Sequence, residues 1–321
     1  MRDAGLETED ERIPEAKKVH PIPSGDLLAV QVPRGSSVPE LEGRVEVIAA
    51  SLGVMEVRVH RDPATAAWAD VEDGRLVDVL LPERNVLIGG EPGAGKSVAI
   101  SMLLATAALD PACRLWLFDG KLVELAAWSS CAERSVGPDG EEALSVLREL
   151  RAEMDARYRR LLAGGLRKVS PGHGLPLHMV VCDELAFYLT LPDRKQRAEF
   201  AELMRDLVAR GRAAGIIVVA ATQKPSADVI PTSLRDLFGF RWALRCNTPQ
   251  ASDTILGQGW ASLGFDAAKV AGGLRGVGYL LAEGTEPVRL KSCFLGDEDV
   301  ALIAGRAAAL RGEAPTEARA A

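Results

Sequence analysis

The chain has 321 residues, of which 47% are hydrophobic and 26% are charged, as is typical of a folded protein in aqueous solution. Its net charge of −7 excludes attraction of nucleic acid by the whole surface, so any DNA contact would need a local basic patch. The sequence has no apolar run of about 20 residues, no signal peptide, and no CxxC spacing among its five cysteines. We therefore expect a cytoplasmic protein without a membrane span, a disulfide framework or a zinc site.

The N-terminal part differs from the rest of the chain. Residues 1–20 are charged and lack apolar periodicity, which predicts a flexible lead-in. In residues 21–82, one helical stretch (ELEGRVEVIAASLG) lies among short alternating segments such as LLAVQV and RLVDVLL. This pattern predicts a small α+β region that ends at Pro82.

Strand and helix patterns then alternate from residue 83 to residue 300. The apolar runs NVLIGG, RLWLFDG, LHMVVCDE, GIIVVAATQ and FRWALR are typical of strands that are buried on both faces of a parallel sheet. Long helical stretches lie between several of them, which predicts an α/β domain with a central, mainly parallel sheet. Residues 301–321 are predicted to form a C-terminal helix and tail.

A glycine-rich segment follows the first of these strands and matches the phosphate-loop pattern GxxxxGK[ST]. Its backbone N–H groups would bind phosphate at the start of the next helix, Lys96 would neutralise the β- and γ-phosphates, and Ser97 would coordinate Mg²⁺. The alternative is an ordinary turn, but the preceding strand and following helix favour an ATP site. The predicted ATP-binding residues are Gly90, Glu91, Pro92, Gly93, Ala94, Gly95, Lys96, Ser97 and Val98.

Polar residues end two later strands. We expect Asp183 to hold Mg²⁺ and Glu184 to polarise the water that attacks the γ-phosphate, which favours hydrolysis over transfer to a small acceptor. The alternative for this pair is an acid-rich helix N-terminus. Gln223 could sense the γ-phosphate, although glutamine is also common in turns.

Arginines suggest further roles. Arg210 and Arg212 end a predicted helix, where they could cap its carbonyls or reach the nucleotide of a neighbouring subunit. A basic cluster in an earlier helical stretch is more typical of a solvated helix face than of a DNA surface. The cluster consists of Arg157, Arg159, Arg160, Arg167 and Lys168.

The motifs GEPGAGKS, FDGKLVEL, a strand ending in DE, GRAAGIIVVAATQKPSADVIP, RWALRCNTPQASDTILGQG and GVGYLL occur in this order over residues 85–295. This order resembles the FtsK/SpoIIIE family of double-stranded DNA translocases. The resemblance implies a RecA-like P-loop NTPase that works as a homo-hexameric ring and moves duplex DNA through its centre. Asp119, Lys121 and Glu124 match the family's D-x-K-x-x-E stretch, with Gly120 where proline is usual.

The resemblance also implies roles for individual residues. Arg212 matches a trans-acting arginine finger, and Lys224 matches a basic residue on a DNA-facing loop. In the family, a second DNA-facing loop usually carries basic residues at two positions that are occupied by Pro249 and Asp253 in this sequence. Arg245 lies close to them in the sequence and is a candidate DNA contact.

The family's chromosome-segregating members carry an N-terminal membrane domain and a C-terminal winged helix, and we find neither pattern in this sequence. We therefore expect an ATP-driven motor for conjugative or plasmid DNA transfer, with recruitment by a membrane-anchored partner. Three alternatives stay open: a chromosome-partition motor with a separate membrane anchor, a secretion-associated ATPase of the same superfamily, and a non-motor ATP-binding adaptor.

Overall fold

The chain divides into two compact units, residues 1–62 and residues 63–321. The division therefore lies before the boundary that we expected at residue 82. The computed structural model describes residues 15–22, 25–31, 65–71, 76–80, 84–170, 173–223, 225–226, 228–282 and 284–313.

In the first unit, two strands form an antiparallel hairpin, β1 (Glu15–Ile22) and β2 (Gly25–Gln31). The predicted flexible lead-in is therefore wrong for residues 15–20, whose backbone pairs with β2. The helix predicted over residues 40–53 lies outside the described residues.

The second unit is built on a sheet with ten strands in the part of the chain that the structure describes. They are β3 (Thr65–Asp70), β4 (Leu76–Leu80), β5 (Val86–Gly89), β6 (Cys113–Phe118), β7 (Arg134–Val136), β8 (Leu177–Cys182), β9 (Ile216–Thr222), β10 (Phe240–Leu244), β11 (Val277–Leu281) and β12 (Val288–Ser292). Their order is β4-β3-β12-β11-β10-β5-β9-β8-β6-β7. Every pairing from β10 to β7 is parallel, and every pairing from β10 to β4 is antiparallel. This confirms the predicted α/β fold with a mainly parallel central sheet.

Helices cover both faces of this sheet. They are α1 (Lys96–Ala108), α2 (Gly140–Ala163), α3 (Leu185–Leu189), α4 (Arg194–Arg210), α5 (Thr232–Arg235), α6 (Pro249–Leu256) and α7 (Asp297–Glu313). The two longest interior helices begin at aspartates, because the side chains of Asp139 and Asp193 accept hydrogen bonds from the first free N–H groups of α2 and α4. Among the described residues, none of the helices combines the length and apolar character needed to cross a bilayer.

The core lies in two layers, one on each face of the sheet. Val86 and Ile88 of β5 pack in the layer with α1 and α7, whereas Leu87 between them packs in the layer with α2 and α4. Successive strand side chains point to opposite faces, so both sets must be apolar when both faces are covered. This is why the parallel strands are continuous apolar runs in the sequence.

The register of the parallel strands brings four loops to one edge. Gly89 at the end of β5 pairs with Thr222 at the end of β9, and Phe118 at the end of β6 pairs with Cys182 at the end of β8. Because all these strands run in the same direction, the residues that follow them collect at the carboxyl edge of the sheet, where ligands bind in open α/β folds.

Candidate active site

A loop, residues 90–95, connects β5 to α1 at the carboxyl edge. Gly93 and Gly95 have φ of 75° and 104°, a region that glycine adopts without steric cost. A Cβ atom on Gly95 would also lie 2.6 Å from the backbone nitrogen of Gly276, which approaches the loop closely. Both the conformation and the packing therefore require glycine at position 95.

Lys96, the first residue of α1, is buried against this loop. Its Nζ donates hydrogen bonds to the carbonyl oxygens of Gly90, at 2.6 Å, and Glu91, at 2.7 Å. Burial lowers the pKa of the Lys96 ammonium to about 8, and the nearby Glu184 carboxylate opposes part of this shift. Lys96 therefore stays mainly protonated at neutral pH and adds positive charge to the phosphate loop.

Glu91 of the same loop is bound to Arg245 twice. Its N–H donates to the Arg245 carbonyl at 2.9 Å, and its carboxylate forms an ion pair with the Arg245 guanidinium. We expected Arg245 to contact DNA, but its guanidinium has an acidic partner in the phosphate loop. Arg245 therefore stabilises the phosphate loop, and its contact with DNA stays a prediction.

Ser97 faces the loop that follows β6. Its Oγ donates to Oε2 of Glu124 at 2.6 Å, and Lys121 forms an ion pair with the same carboxylate at 3.7 Å. The buried Asp119 shapes this loop by accepting hydrogen bonds from the N–H groups of Lys121 and Leu125, at 3.0 and 2.9 Å. Thus the D-x-K-x-x-E residues form one connected network around the Ser97 hydroxyl.

Asp183 follows β8 and is also buried. It accepts a hydrogen bond from the N–H of Gly120 at 3.1 Å. Burial, and next the neighbouring Asp119, raise the pKa of Asp183 to about 6. The Ser97 hydroxyl and the Asp183 carboxylate are oxygen donors of the kind that Mg²⁺ binds, so the side chains at this edge fit the predicted metal chemically.

Glu184 is held by the end of β9. Its carboxylate accepts hydrogen bonds from Oγ1 of Thr222 at 2.9 Å and from the N–H of Gln223 at 3.1 and 3.3 Å. The sequence drew attention to Thr222 and Gln223 together, but it assigned a role only to Gln223. The one available signal was a hydroxyl in the otherwise apolar strand IIVVAAT.

The comparisons with known families agree with this geometry. The model of the FtsK/SpoIIIE family matches residues 55–253, more than half of the chain. The chain belongs to the FtsK/SpoIIIE family.

Curated members of the FtsK/SpoIIIE family are similar to this chain at moderate identity. It is 28% identical to the DNA translocase SftA of Bacillus subtilis, over 87% of this chain and 29% of SftA. It is also 28% identical to the DNA translocase FtsK of Streptomyces coelicolor, over 90% of this chain and 32% of that protein. The chain spans about a third of the length of these relatives.

Solved structures show the same fold. The pCW3 conjugation coupling protein TcpA, in its monomer form with ATPγS, superposes with a TM-score of 0.67 at 18% identity, over 96% of both chains. EssC (ATPases 2 and 3) from Geobacillus thermodenitrificans superposes with a TM-score of 0.64 at 17% identity, over 81% of this chain and 51% of that one.

Arg212, which matches the family's arginine finger, lies far from the phosphate loop of its own chain. It belongs to the 3-10 turn Gly211–Ala214, which precedes β9, whereas the phosphate loop follows the parallel strand β5. The seven residues of β9 separate the two edges by about 20 Å. Its neighbour Arg210 binds Asp206 and Asp155 on the surface of its own chain.

Arg157 supports the turn that carries Arg212. It is 1% exposed, so the solvated helix face that we predicted for it is wrong. Its guanidinium donates to the carbonyl oxygens of Pro176 and Ala214 at 2.8 and 2.9 Å, and contacts Nε2 of His178 at 2.7 Å. The basic cluster thus includes one buried residue, which anchors the end of the turn.

The residues predicted to contact DNA are only partly described. Lys224 lies outside the described residues. Pro249 begins α6, and Asp253 accepts hydrogen bonds from the N–H groups of Gly259 and Ala261, at 3.0 and 2.8 Å. The acidic residue at this family position therefore stabilises the turn after α6.

A pocket of about 580 Å³ opens beside the phosphate loop, within the size range of ligand sites. Its lining includes residues of the loop and of α1, together with Glu124 from the loop after β6 and Gln223 directly after β9. The other lining residues come from two segments to which the sequence analysis assigned no role in the site. These are Gly273, Arg275 and Gly276, before β11, and Lys291, Ser292 and Phe294, at the end of β12 and directly after it.

Proposed function

We propose that this chain is the ATP-hydrolysing motor of a double-stranded DNA translocase, and that it acts in conjugative or plasmid DNA transfer. The observation that carries the proposal is the convergence of Lys96, Ser97 and the Asp183–Glu184 pair at one edge of the sheet, in a member of the FtsK/SpoIIIE family. Each of these side chains suits one step of phosphoryl transfer to water.

The phosphate loop would bind the triphosphate of ATP. Its N–H groups lie at the start of α1, where the helix dipole favours an anion, and the Lys96 ammonium adds a full charge. Ser97 and Asp183 would hold Mg²⁺, which neutralises charge on the β- and γ-phosphates. Glu124, bonded to the Ser97 hydroxyl, would keep that hydroxyl directed to this side of the loop.

Glu184 would orient and polarise the attacking water. A carboxylate can do so only when its position is fixed, and the Thr222 hydroxyl and the Gln223 N–H provide that constraint. The Gln223 side chain lines the same pocket, where it can contact the γ-phosphate.

Arg212 would complete the site of a neighbouring copy. Because Arg212 lies at the sheet edge opposite the phosphate loop, it cannot reach the nucleotide of its own chain. A ring in which each copy supplies an arginine to the next satisfies this geometry, and we propose the family's homo-hexamer.

Double-stranded DNA is the proposed substrate because the curated relatives are named DNA translocases. We propose that Lys224 contacts DNA phosphates, which would give binding that does not depend on base sequence. The name of TcpA suggests conjugation as the role. The likeness to TcpA establishes the fold. We infer the role in conjugation, a cytoplasmic location and a membrane-anchored partner.

A second candidate function is protein secretion. The cytoplasmic domain of the type VII secretion ATPase EccC of Thermomonospora curvata superposes on this chain with a TM-score of 0.61 at 20% identity. Stimulation by DNA separates the two candidates, because a motor for proteins has no reason to respond to duplex DNA.

The deciding experiment measures ATPase turnover with and without linear duplex DNA at low and high salt. We expect duplex DNA to stimulate turnover and salt to weaken the effect, because phosphate contacts release counterions. Glu184→Gln should bind ATP but lose about 10²–10⁴-fold in turnover. Wild-type turnover that ignores DNA at low salt would refute the translocase and favour secretion.

A charge reversal tests the proposed DNA contact. Lys224→Glu should lose the stimulation by DNA, whereas the matched reversal Lys195→Glu, at an exposed position in the first turn of α4, should keep it. Equal stimulation of both variants would mean that Lys224 does not contact DNA. A further experiment compares the frequency of plasmid transfer between cells that carry wild type with the frequency between cells that carry Glu184→Gln. This comparison distinguishes a role in conjugation from a role in chromosome partition.

A further inference from the structure

The pocket beside the phosphate loop is also lined by the aromatic ring of Phe294. We propose that Phe294 is the platform on which the base of the bound nucleotide stacks, and that the pocket thereby favours purine over pyrimidine nucleotides. This inference rests on the proposed binding of ATP at the phosphate loop and extends it to the base.

The first argument is the exposure of Phe294. Its side chain is 77% exposed and lines the pocket together with Pro92 and Val98, which supply apolar surface from the phosphate loop and α1. An exposed phenyl ring adds nothing to the core, but it offers a flat apolar face to a ligand. Among the described residues that line the pocket, Phe294 supplies the aromatic ring.

The second argument is that hydrogen bonds fix the ring's segment relative to the phosphate loop. The N–H of Gly276 donates to the carbonyl of Ala94 in the loop at 2.8 Å. The N–H of Ser292 in turn donates to the carbonyl of Gly276 at 2.9 Å, and Phe294 follows two residues later. Two hydrogen bonds thus connect the segment before Phe294 to the loop that would hold the phosphates.

The third argument is the charge of the pocket lining. Arg275 and Lys291 are exposed and line the pocket beside Phe294. These cations favour an anionic ligand, but they cannot recognise a base by its apolar face. The combination of a phosphate loop, flanking cations and an aromatic ring is complementary to a nucleotide. Because a purine overlaps a phenyl ring over a larger area than a pyrimidine does, stacking favours purines.

The experiment measures binding by calorimetry, without turnover, for wild type, Phe294→Ala and Phe294→Tyr. The probes are ADP, CDP and inorganic tripolyphosphate, which has no base. Leu302→Ala is the matched control, because Leu302 is also a large exposed apolar residue, at 73%, but lies on α7 outside the pocket lining.

We expect Phe294→Ala to weaken ADP binding about tenfold, since stacking of one base on an aromatic ring contributes roughly 5- to 150-fold. The ratio of the affinities for ADP and CDP should decrease in this variant, and the affinity for tripolyphosphate should stay unchanged. Phe294→Tyr and Leu302→Ala should bind ADP within about twofold of wild type.

Two results would overturn the inference. Unchanged ADP binding in Phe294→Ala would show that the base does not stack on this ring. Equal weakening of ADP and tripolyphosphate would show that Phe294 acts on the phosphate loop instead. Neither result depends on DNA, so failure of the translocase proposal, seen as turnover that ignores DNA, remains distinguishable from failure of the base platform.

Discussion

A Thr222→Val substitution would remove the hydroxyl that binds Glu184 and would leave the size of the side chain almost unchanged. Thr222 is fully buried, and its Oγ1 lies 2.9 Å from the Glu184 carboxylate. A hydrogen bond to a charged group contributes about 1.5–3 kcal/mol. Because the N–H of Gln223 still binds the carboxylate, at 3.1 Å, we take the lower limit, about 1.5 kcal/mol.

That free energy corresponds to about tenfold in rate if Glu184 acts only from the bound position. Thr222→Val should therefore lower kcat about tenfold, which is less than the loss expected for Glu184→Gln. Binding of ATPγS should stay within about twofold of wild type, because Thr222 acts through Glu184 and not on the phosphates. Thr222→Ser restores a hydroxyl at the same place and should recover most of the rate.

The assay is steady-state turnover at saturating duplex DNA, combined with calorimetric binding of ATPγS and chemical denaturation of each variant. A merely structural role would lower the free energy of unfolding in Thr222→Val and leave kcat of the folded fraction unchanged. The reasoning fails if Thr222→Val keeps kcat within twofold of wild type, or if Thr222→Ser is as slow as Thr222→Val.

Two further predictions concern the far edge of the sheet. Arg212→Ala should bind ATP normally but hydrolyse it at least 10³-fold more slowly, since arginine fingers contribute roughly 10³–10⁵-fold. Mixing Arg212→Ala with Lys96→Ala should restore turnover, because some sites then combine an intact phosphate loop with an intact arginine. Mixed rings that are verified but show no recovery would refute a trans role. Burial, and next Arg157, lower the pKa of His178 to about 2 from 6.5, so the unfolded chain binds the extra proton between these values and the contribution of His178 to stability falls as the pH drops below 6.5. Between pH 6.5 and 5 wild type should lose about 1.6 kcal/mol more stability than His178→Gln in denaturation experiments. The comparison cancels the contributions of other groups such as Asp183, and equal pH dependence of the two proteins would contradict the assignment.

The sequence predicted those parts of the site that are contiguous. The phosphate loop is one stretch in which the strand before, the glycines within and the helix after Lys96 all agree. Asp183 and Glu184 could be located because the apolar run of β8 ends there, and carboxyl ends of parallel strands meet at one edge. Local pattern and topology rules were sufficient to predict that these residues lie at the carboxyl edge.

Contacts between distant segments could not be predicted in the same way. The alternating segment RLVDVLL contains β4, but β4 joins the main sheet only through β3, which pairs with β12 more than 200 residues later. The segment was therefore assigned to the smaller region. Arg157 belongs to a row of exposed arginines in the sequence, and only its partners Pro176 and Ala214 show that it is buried. Phe294 lies beside the phosphate loop for the same reason, through the pairing of β11 with β12.

The position of Arg212 explains why hydrolysis would depend on assembly. One chain contains a phosphate loop and the carboxylate proposed to orient water at the carboxyl edge of its sheet, but Arg212 lies at the amino edge. The buried guanidinium of Arg157 holds the carbonyl of Ala214, so the turn with Arg212 is fixed to α2 and cannot move to the opposite edge by itself. An isolated copy would then bind ATP and hydrolyse it slowly. Turnover would rise only when a second copy presents its amino edge, which restricts ATP use to the assembled motor.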